Sequence, residues 1–89
     1  MIGTATVNRV GRILEADKAF LKISGLREDE AKWHYVVDML KSVECWNSIR
    51  DEEEPITMNI RRHRGRDCRH TVSCSRVDEN RWHVTISKV

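Results

Sequence analysis

Three groups of side chains in this 89-residue chain are of types that do chemistry. Cys68, His70 and Cys74 follow one another at even spacing and are metal-ligand types. A structural metal site, however, is normally built from paired-ligand motifs that close a tetrahedron. Cys68 and His70 lie only two apart on a predicted strand and no second pair appears, so no metal centre is expected. His70 is expected instead as a core histidine with a hydrogen-bond partner. Cys45 and Cys74 are candidate oxidant sensors, but nothing around them in sequence points to an activated thiolate, and small buried side chains are the expectation. Catalytic residues are not expected. Gly65 stands alone rather than in a phosphate-cradling loop, Glu52 to Glu54 form a solvated acidic run, and no Ser or Cys sits in a nucleophile motif.

The third group is the arginines. Residues 1–54 carry 8 basic and 11 acidic side chains, and residues 55–89 carry 8 basic and 3 acidic. Arg61, Arg62, Arg64, Arg66, Arg69 and Arg76 dominate the basic half. Such a cluster can attract nucleic acid. A sheet that binds single strands also needs exposed aromatic rings for stacking. Trp33, Tyr35, Trp46, Phe20 and Trp82 are the candidates, and most fall on expected core faces. A solvated sheet face and hairpin tip is the expectation, with nucleic acid an unlikely partner and a small nucleic-acid-binding α+β domain the alternative.

The elements that position these groups read clearly in the second half. Ile56, Met58 and Ile60 alternate with polar residues, as do Cys68, His70, Val72 and Cys74, and then Trp82, Val84 and Ile86. Period-two patterning predicts three half-buried antiparallel strands. Gly65 lies in the first connection and Asp78 to Asn80 form the second. In the first half, Val7 and Val10, then Ile13 and Leu14, predict two short strands broken near Gly11. Asp17 is placed to cap a helix carrying Ala19, Phe20 and Ile23, with Gly25 ending it in a left-handed conformation. Leu26 to Lys32 predicts a second short helix with Glu28, Asp29 and Glu30 in its first turn. Val36, Met39, Leu40, Val43, Trp46 and Ile49 predict a longer helix with Trp33, Met39 and Trp46 on its apolar stripe. Pro55 closes the helical half.

The sum is one α+β domain over residues 1–89, a five-stranded antiparallel sheet with short helices packed on one face. Hydrophobic residues at 39% and charged residues at 34% suit a small globular domain. No run approaches the roughly 18 apolar residues that span a bilayer, and Met1 to Arg12 lacks a signal peptide's apolar centre. Three cysteines outside any CxxC arrangement argue against a disulfide framework and for a cytoplasmic location, with no membrane partner.

Two stretches resemble the PAS domain family. Gly11-Arg-Ile-Leu-Glu-Ala-Asp17-Lys-Ala-Phe20-Leu-Lys-Ile-Ser-Gly25-Leu-Arg-Glu-Asp-Glu30 is similar to its N-terminal signature: a strand, a polar cap, an Ala-Phe pair, then Gly and an acidic short helix. Arg61-Arg-His-Arg-Gly65-Arg-Asp-Cys-Arg-His-Thr-Val-Ser-Cys-Ser-Arg-Val77 is similar to its basic hairpin, and Arg81 to Val89 stands where such domains end. Asp17 replaces the usual Asn, Leu26 a common aromatic, and the stretch from Leu40 to Pro55 is shorter than the family's cofactor wall.

The resemblance implies a sensory and protein-interaction domain, not an enzyme, that passes a ligand, redox or partner signal to the output domain of a larger signalling protein such as a histidine kinase. It implies a ligand pocket between helices and sheet, drawing on Phe20, Val36, Met39, Leu40, Trp46, Met58, His70, Val72 and Trp82. The short wall implies a small ligand or none. The absence of an Asn-Cys-Arg-Phe motif disfavours a flavin photosensor. A haem-binding gas sensor is a further alternative, with His34 as iron ligand and Trp82 donating its indole N–H to a bound gas. Weak homodimerisation through the outer sheet face is also implied, with Arg61, Arg69, Thr71, Ser73, Thr85 and Ser87 on that face.

Overall fold

The structure is a computed structural model describing residues 1–89. Five strands, β1 (Ile2–Val7), β2 (Ile13–Ala16), β3 (Ile56–Ile60), β4 (Cys68–Arg76) and β5 (Trp82–Lys88), form one antiparallel sheet in the order β2-β1-β5-β4-β3. Four helices lie between β2 and β3: α1 (Lys18–Ser24), α2 (Glu28–Ala31), α3 (Val36–Leu40) and α4 (Val43–Glu52). The first and last strands pair in the centre of the sheet, so the helical excursion begins and ends at its edges.

Period-two patterning decides which face is covered. Ala5 and Val7 of β1, Val72 and Cys74 of β4, and Trp82, Val84 and Ile86 of β5 point inward and are buried. They meet Phe20, Val36, Leu40, Trp46 and Ile49 from the helices in one apolar cluster. The outer face carries small hydroxyl side chains in register: Thr4 opposite Thr85, Thr85 opposite Ser73, Ser87 opposite Thr71, and Thr71 opposite Thr57.

Helix α1 begins as the sequence predicts. Asp17 Oδ1 accepts from the Phe20 amide at 2.7 Å, and both its carboxylate oxygens accept from the Thr4 amide at 3.1 Å, so the cap also fastens the helix to β1. The helix rides directly on the strand at Gly3, where a Cβ would lie 2.5 Å from the Phe20 backbone.

Several expectations are corrected. β1 starts at Ile2, not near Val7; Gly3, Thr4, Ala5 and Thr6 are too small to announce a strand, yet small side chains are what α1 needs beneath it. Val10 is exposed in the β1–β2 turn and Leu14 faces outward. The second helix is shorter than expected, at Glu28–Ala31. The long third helix is two: Lys41 adopts φ 63°, and Ser42 starts α4 by accepting from the Cys45 amide at 3.2 Å. The break turns Val43 out of the core. Trp33 is not on an apolar stripe but 68% exposed in the α2–α3 connection, with the Arg12 guanidinium 5.7 Å from its ring centroid. Arg61 is not on the outer sheet face. It follows the end of β3, where its amide donates to the Met39 carbonyl at 2.8 Å and turns the chain toward the helices.

Candidate functional site

The β3–β4 connection folds over the end of α1, and its arginines hold it there. A helix leaves its last carbonyls without intrahelical partners. Arg62 supplies them, with Nε donating to the Ile23 carbonyl at 2.7 Å and Nη2 to that of Lys22 at 3.2 Å. The His63 amide donates to the Ser24 carbonyl at 2.7 Å, and Arg64 Nη1 donates to Gly25 at 3.0 Å. Arg64 also pairs with both carboxylate oxygens of Glu30 in α2. Gly25 makes this possible twice over. It ends α1 at φ 74°, and any Cβ there would lie 2.4 Å from the Arg64 carbonyl oxygen.

On the other side, residues 34–36 are sewn to the β1–β2 turn. The Ile13 amide donates to the His34 carbonyl at 3.0 Å, Tyr35 bridges to Arg12, and the Val36 amide donates to the Gly11 carbonyl at 2.7 Å. Between hairpin and connection lies an open cleft of about 290 Å³. Leu26 and Met39 give it apolar surface; His34, Tyr35 and Asp38 line one side, and Arg61, Arg62 and His63 the other.

The polar groups of the cleft fall into two sets. Arg62 is committed to the α1 carbonyls, and the buried Ser24 hydroxyl bonds the Leu21 carbonyl and the Leu26 amide. Neither is free to act as a nucleophile or a ligand clamp. By contrast Arg61, Asp38 and the Tyr35 hydroxyl have no side-chain partner within the protein. The His34 and His63 rings meet edge to face at 4.5 Å, and His63 Nε2 lies 4.0 Å from Glu30. The hydrogen bond from Arg64, then that from the Arg27 amide, holds the Glu30 carboxyl down at about 2. The Glu30 carboxylate raises Arg64 in turn. The cleft thus offers two imidazoles, one free guanidinium and one free carboxylate around an apolar patch, which suits a small polar molecule.

Of the nine residues expected around a ligand, Phe20, Val36, Leu40, Trp46, Val72 and Trp82 lie in the packed core and Met58 is half-buried against it. Met39 reaches the cleft, and His70 lines a different cavity at the start of β4. His70 Nδ1 meets the Cys68 carbonyl at 2.9 Å, so Cys68 engages the ring through its backbone rather than its thiol. Burial pushes the Cys74 thiol up to about 12, away from thiolate reactivity.

His34 stands at the cleft, but the residues around it do not fit haem. A macrocycle needs a shaped, largely apolar slot on its ligand's open side. Here the His34 ring packs edge-on against His63, and the walls carry Asp38, Arg61 and Arg62. Trp82 lies at the Val7–Arg76 end of β5 and does not line this cleft.

Sequence reasoning did not single out Tyr35, Asp38, Arg61, Arg62 or His63 as cleft residues. Their proximity depends on the hairpin folding back across α1, and no local period encodes that.

A PAS domain from Desulfitobacterium hafniense superposes on the chain with a TM-score of 0.78 at 14% identity, covering 98% of this chain and 92% of that one. The chain has the PAS fold. A PAS domain from a two-component sensor histidine kinase agrees, with a TM-score of 0.76 at 13% identity over 99% of this chain and 85% of that one. No family model matches the sequence, and no curated protein does. No helix is long and apolar enough to cross a membrane.

Proposed function

We propose that this PAS-fold chain is a sensory and interaction module, not a catalyst, working as one domain of a larger cytoplasmic signalling protein. The observation that carries this reading is the construction of the cleft. Its walls come from the α1–α2 and α2–α3 connections, from α3 and from the β3–β4 hairpin, so an occupant touches the helical layer and the sheet's own connection together. An occupant that prefers one packing of these parts biases the equilibrium between packings. Arg61 and Met39, joined backbone to backbone, transmit that bias into β3, and the sheet carries it toward β5 and β1.

The output domain of the parent protein takes up the signal at the outer sheet face. Its Thr and Ser rows, with Arg69, favour weak, reversible pairing with a second copy over a permanent interface. A partner at this face also accounts for Ile2 and Leu14 being exposed beside the hydroxyl rows.

The test fills the cleft from within. Met39→Phe places a ring into it without adding charge. The expected result is a change of about fivefold or more in amide exchange at β1 and β5 as well as at β3, the coupling expected of linked sites. Changes confined to α3, β3 and the hairpin, with β1 and β5 untouched, would rule out transmission through the sheet and with it the sensory reading.

A further inference from the structure

A second cavity, of about 180 Å³, opens on the other side of the β3–β4 hairpin, between the end of α1 and the adjoining ends of β4 and β5. Lys22, Arg62 and Lys88 line it, with Ile23, Cys68 and Met1 supplying apolar surface and His70 set into its wall. No carboxylate lines it, and neither Lys22 nor Lys88 forms an ion pair anywhere in the molecule. Three cationic residues thus line one small space with no carboxylate among its lining.

His70 is the decisive residue. It is only 4% exposed, yet one of its ring nitrogens is unused by the protein. Nδ1 faces the Cys68 carbonyl at 2.9 Å, and because a carbonyl only accepts, Nδ1 carries a proton. Nε2 has no protein partner, and since no fully buried side-chain nitrogen lacks one, solvent reaches it at the cavity that His70 lines. Lys88 is the cross-strand partner of His70 and projects from the same face of the sheet. An unpartnered ring nitrogen on a buried residue, open to solvent beside cationic side chains, is an arrangement that a ligand completes.

We propose that this cavity is a binding site for a small oxyanion, a carboxylate or phosphate group held between Lys22, Lys88 and His70. Arg62 contributes its charge but not a free fork, because Nε and Nη2 already serve the α1 carbonyls. Lys22 and Lys88 act as mobile point charges on long stems. In the neutral ring Nε2 has only a lone pair to offer, which repels an oxyanion; protonated, it donates a charge-assisted hydrogen bond. The titratable groups lining the cavity with it are the Met1 α-amino group, Lys22 from α1, Arg62 from the hairpin, Cys68 from β4 and Lys88 from β5. All the charged ones are positive, so a proton on Nε2 and a bound anion stabilise each other. Anion binding is therefore coupled to proton uptake. The site is separate from the sensory cleft, although Arg62 lines both, and it does not depend on the function proposed for that cleft.

The experiment is an NMR titration of the intact chain with inorganic phosphate and, separately, with butyrate, at about pH 6 and about pH 8 and at constant ionic strength set with chloride. The expected result is saturable movement of the His70 ring signals and the Lys88 amide at millimolar anion, with affinity falling about tenfold per pH unit once the ring is neutral. The anion that binds more tightly identifies the source: butyrate for a carboxylate with an apolar tail on Ile23, phosphate for a phosphoryl group. Lys88 is exposed and outside the packed core, so Lys88→Ala should fold and lose about tenfold in affinity. His70→Gln keeps a polar side chain and should abolish the pH dependence. An equal response to chloride, unchanged binding in Lys88→Ala, or no movement of the His70 signals with either anion would overturn the assignment.

Discussion

The helical layer is fastened to the strand connections at two places, and the two fastenings differ in kind. Near the β1–β2 turn, Trp46 of α4 is driven in as a wedge. It is 2% exposed, its Nε1 donates to the Arg9 carbonyl at 2.9 Å, and its ring lies where a Cβ on Gly11 would meet it at 3.3 Å. Arg50 lies 6.0 Å from the ring centroid and bonds the same carbonyl at 3.0 Å. At the β3–β4 hairpin, Arg62 and Arg64 reach back to carbonyls at the end of α1 and to Glu30. The aromatic wedge fills its space. The guanidinium clasp spans its space and leaves cavities on both sides. An apolar fastening is insensitive to pH and salt, whereas a charged one yields to both. The fold thus has one end that is packed shut and one that is held by charge across open space.

The wedge should be the costlier to remove. Trp46→Ala deletes a fully packed aromatic and should destabilise the chain by about 3–5 kcal/mol. Small domains have only about 5–15 kcal/mol in total, so urea unfolding should show a midpoint near collapse. A loss below about 1 kcal/mol would mean that the Trp46 end is as adjustable as the hairpin end, and the distinction between them would disappear.

The same contrast governs what could be read from the sequence. Some features are local signals: period-two strands, the Asp17 cap and Gly25 stop of α1, and Trp46 at helical spacing. These are the parts that sequence analysis placed, because each is set by neighbours two to four residues away. The α3–α4 break escaped it because Val36, Met39, Leu40, Trp46 and Ile49 stay in helical phase across Lys41 and Ser42; the serine cap was the available signal. The clasp end escaped it for another reason. Arg62 and Arg64 read as solvated hairpin charges, and only tertiary folding reveals that their targets are carbonyls 39 residues away. The cleft was not anticipated accordingly: the residues expected around a ligand sit mostly in the packed core, while charges from the hairpin line the opening.

A second perturbation strikes the clasp through the backbone. Gly25→Ala forces a side chain onto a left-handed residue and into the Arg64 backbone. The expected cost is about 1–3 kcal/mol, smaller than that of losing the wedge. It should be local: the His63 amide, which donates to Ser24, should lose protection against exchange, while the Trp46 indole N–H keeps its own. Equal loss at both sites would show the two fastenings to be one cooperative unit.

The smallest effect is electrostatic, and its sign follows from Glu30. Its carboxyl is held at about 2 in the folded chain, below its ordinary value of 4.5, chiefly by Arg64. A carboxyl depressed on folding stabilises the fold above its unfolded value, and that contribution drains away as pH falls from there through the folded value. The clasp should therefore loosen between about pH 4.5 and about pH 2. Asp51, Asp67 and Asp78 are also held low by their own cationic partners, so global stability falls over acid pH for several reasons at once. The discriminating readout is local. Chemical shifts of Gly25 and His63 should follow an acid transition that Glu30→Gln removes, while the Trp46 indole signal remains the same in both proteins. Because the Glu30–Arg64 pair is exposed to solvent, high salt should weaken the transition in the parent chain as well. If the transition survives Glu30→Gln unchanged, a carboxyl other than Glu30 governs the acid sensitivity of this end. The clasp would then be fastened by its arginine-to-carbonyl bonds alone.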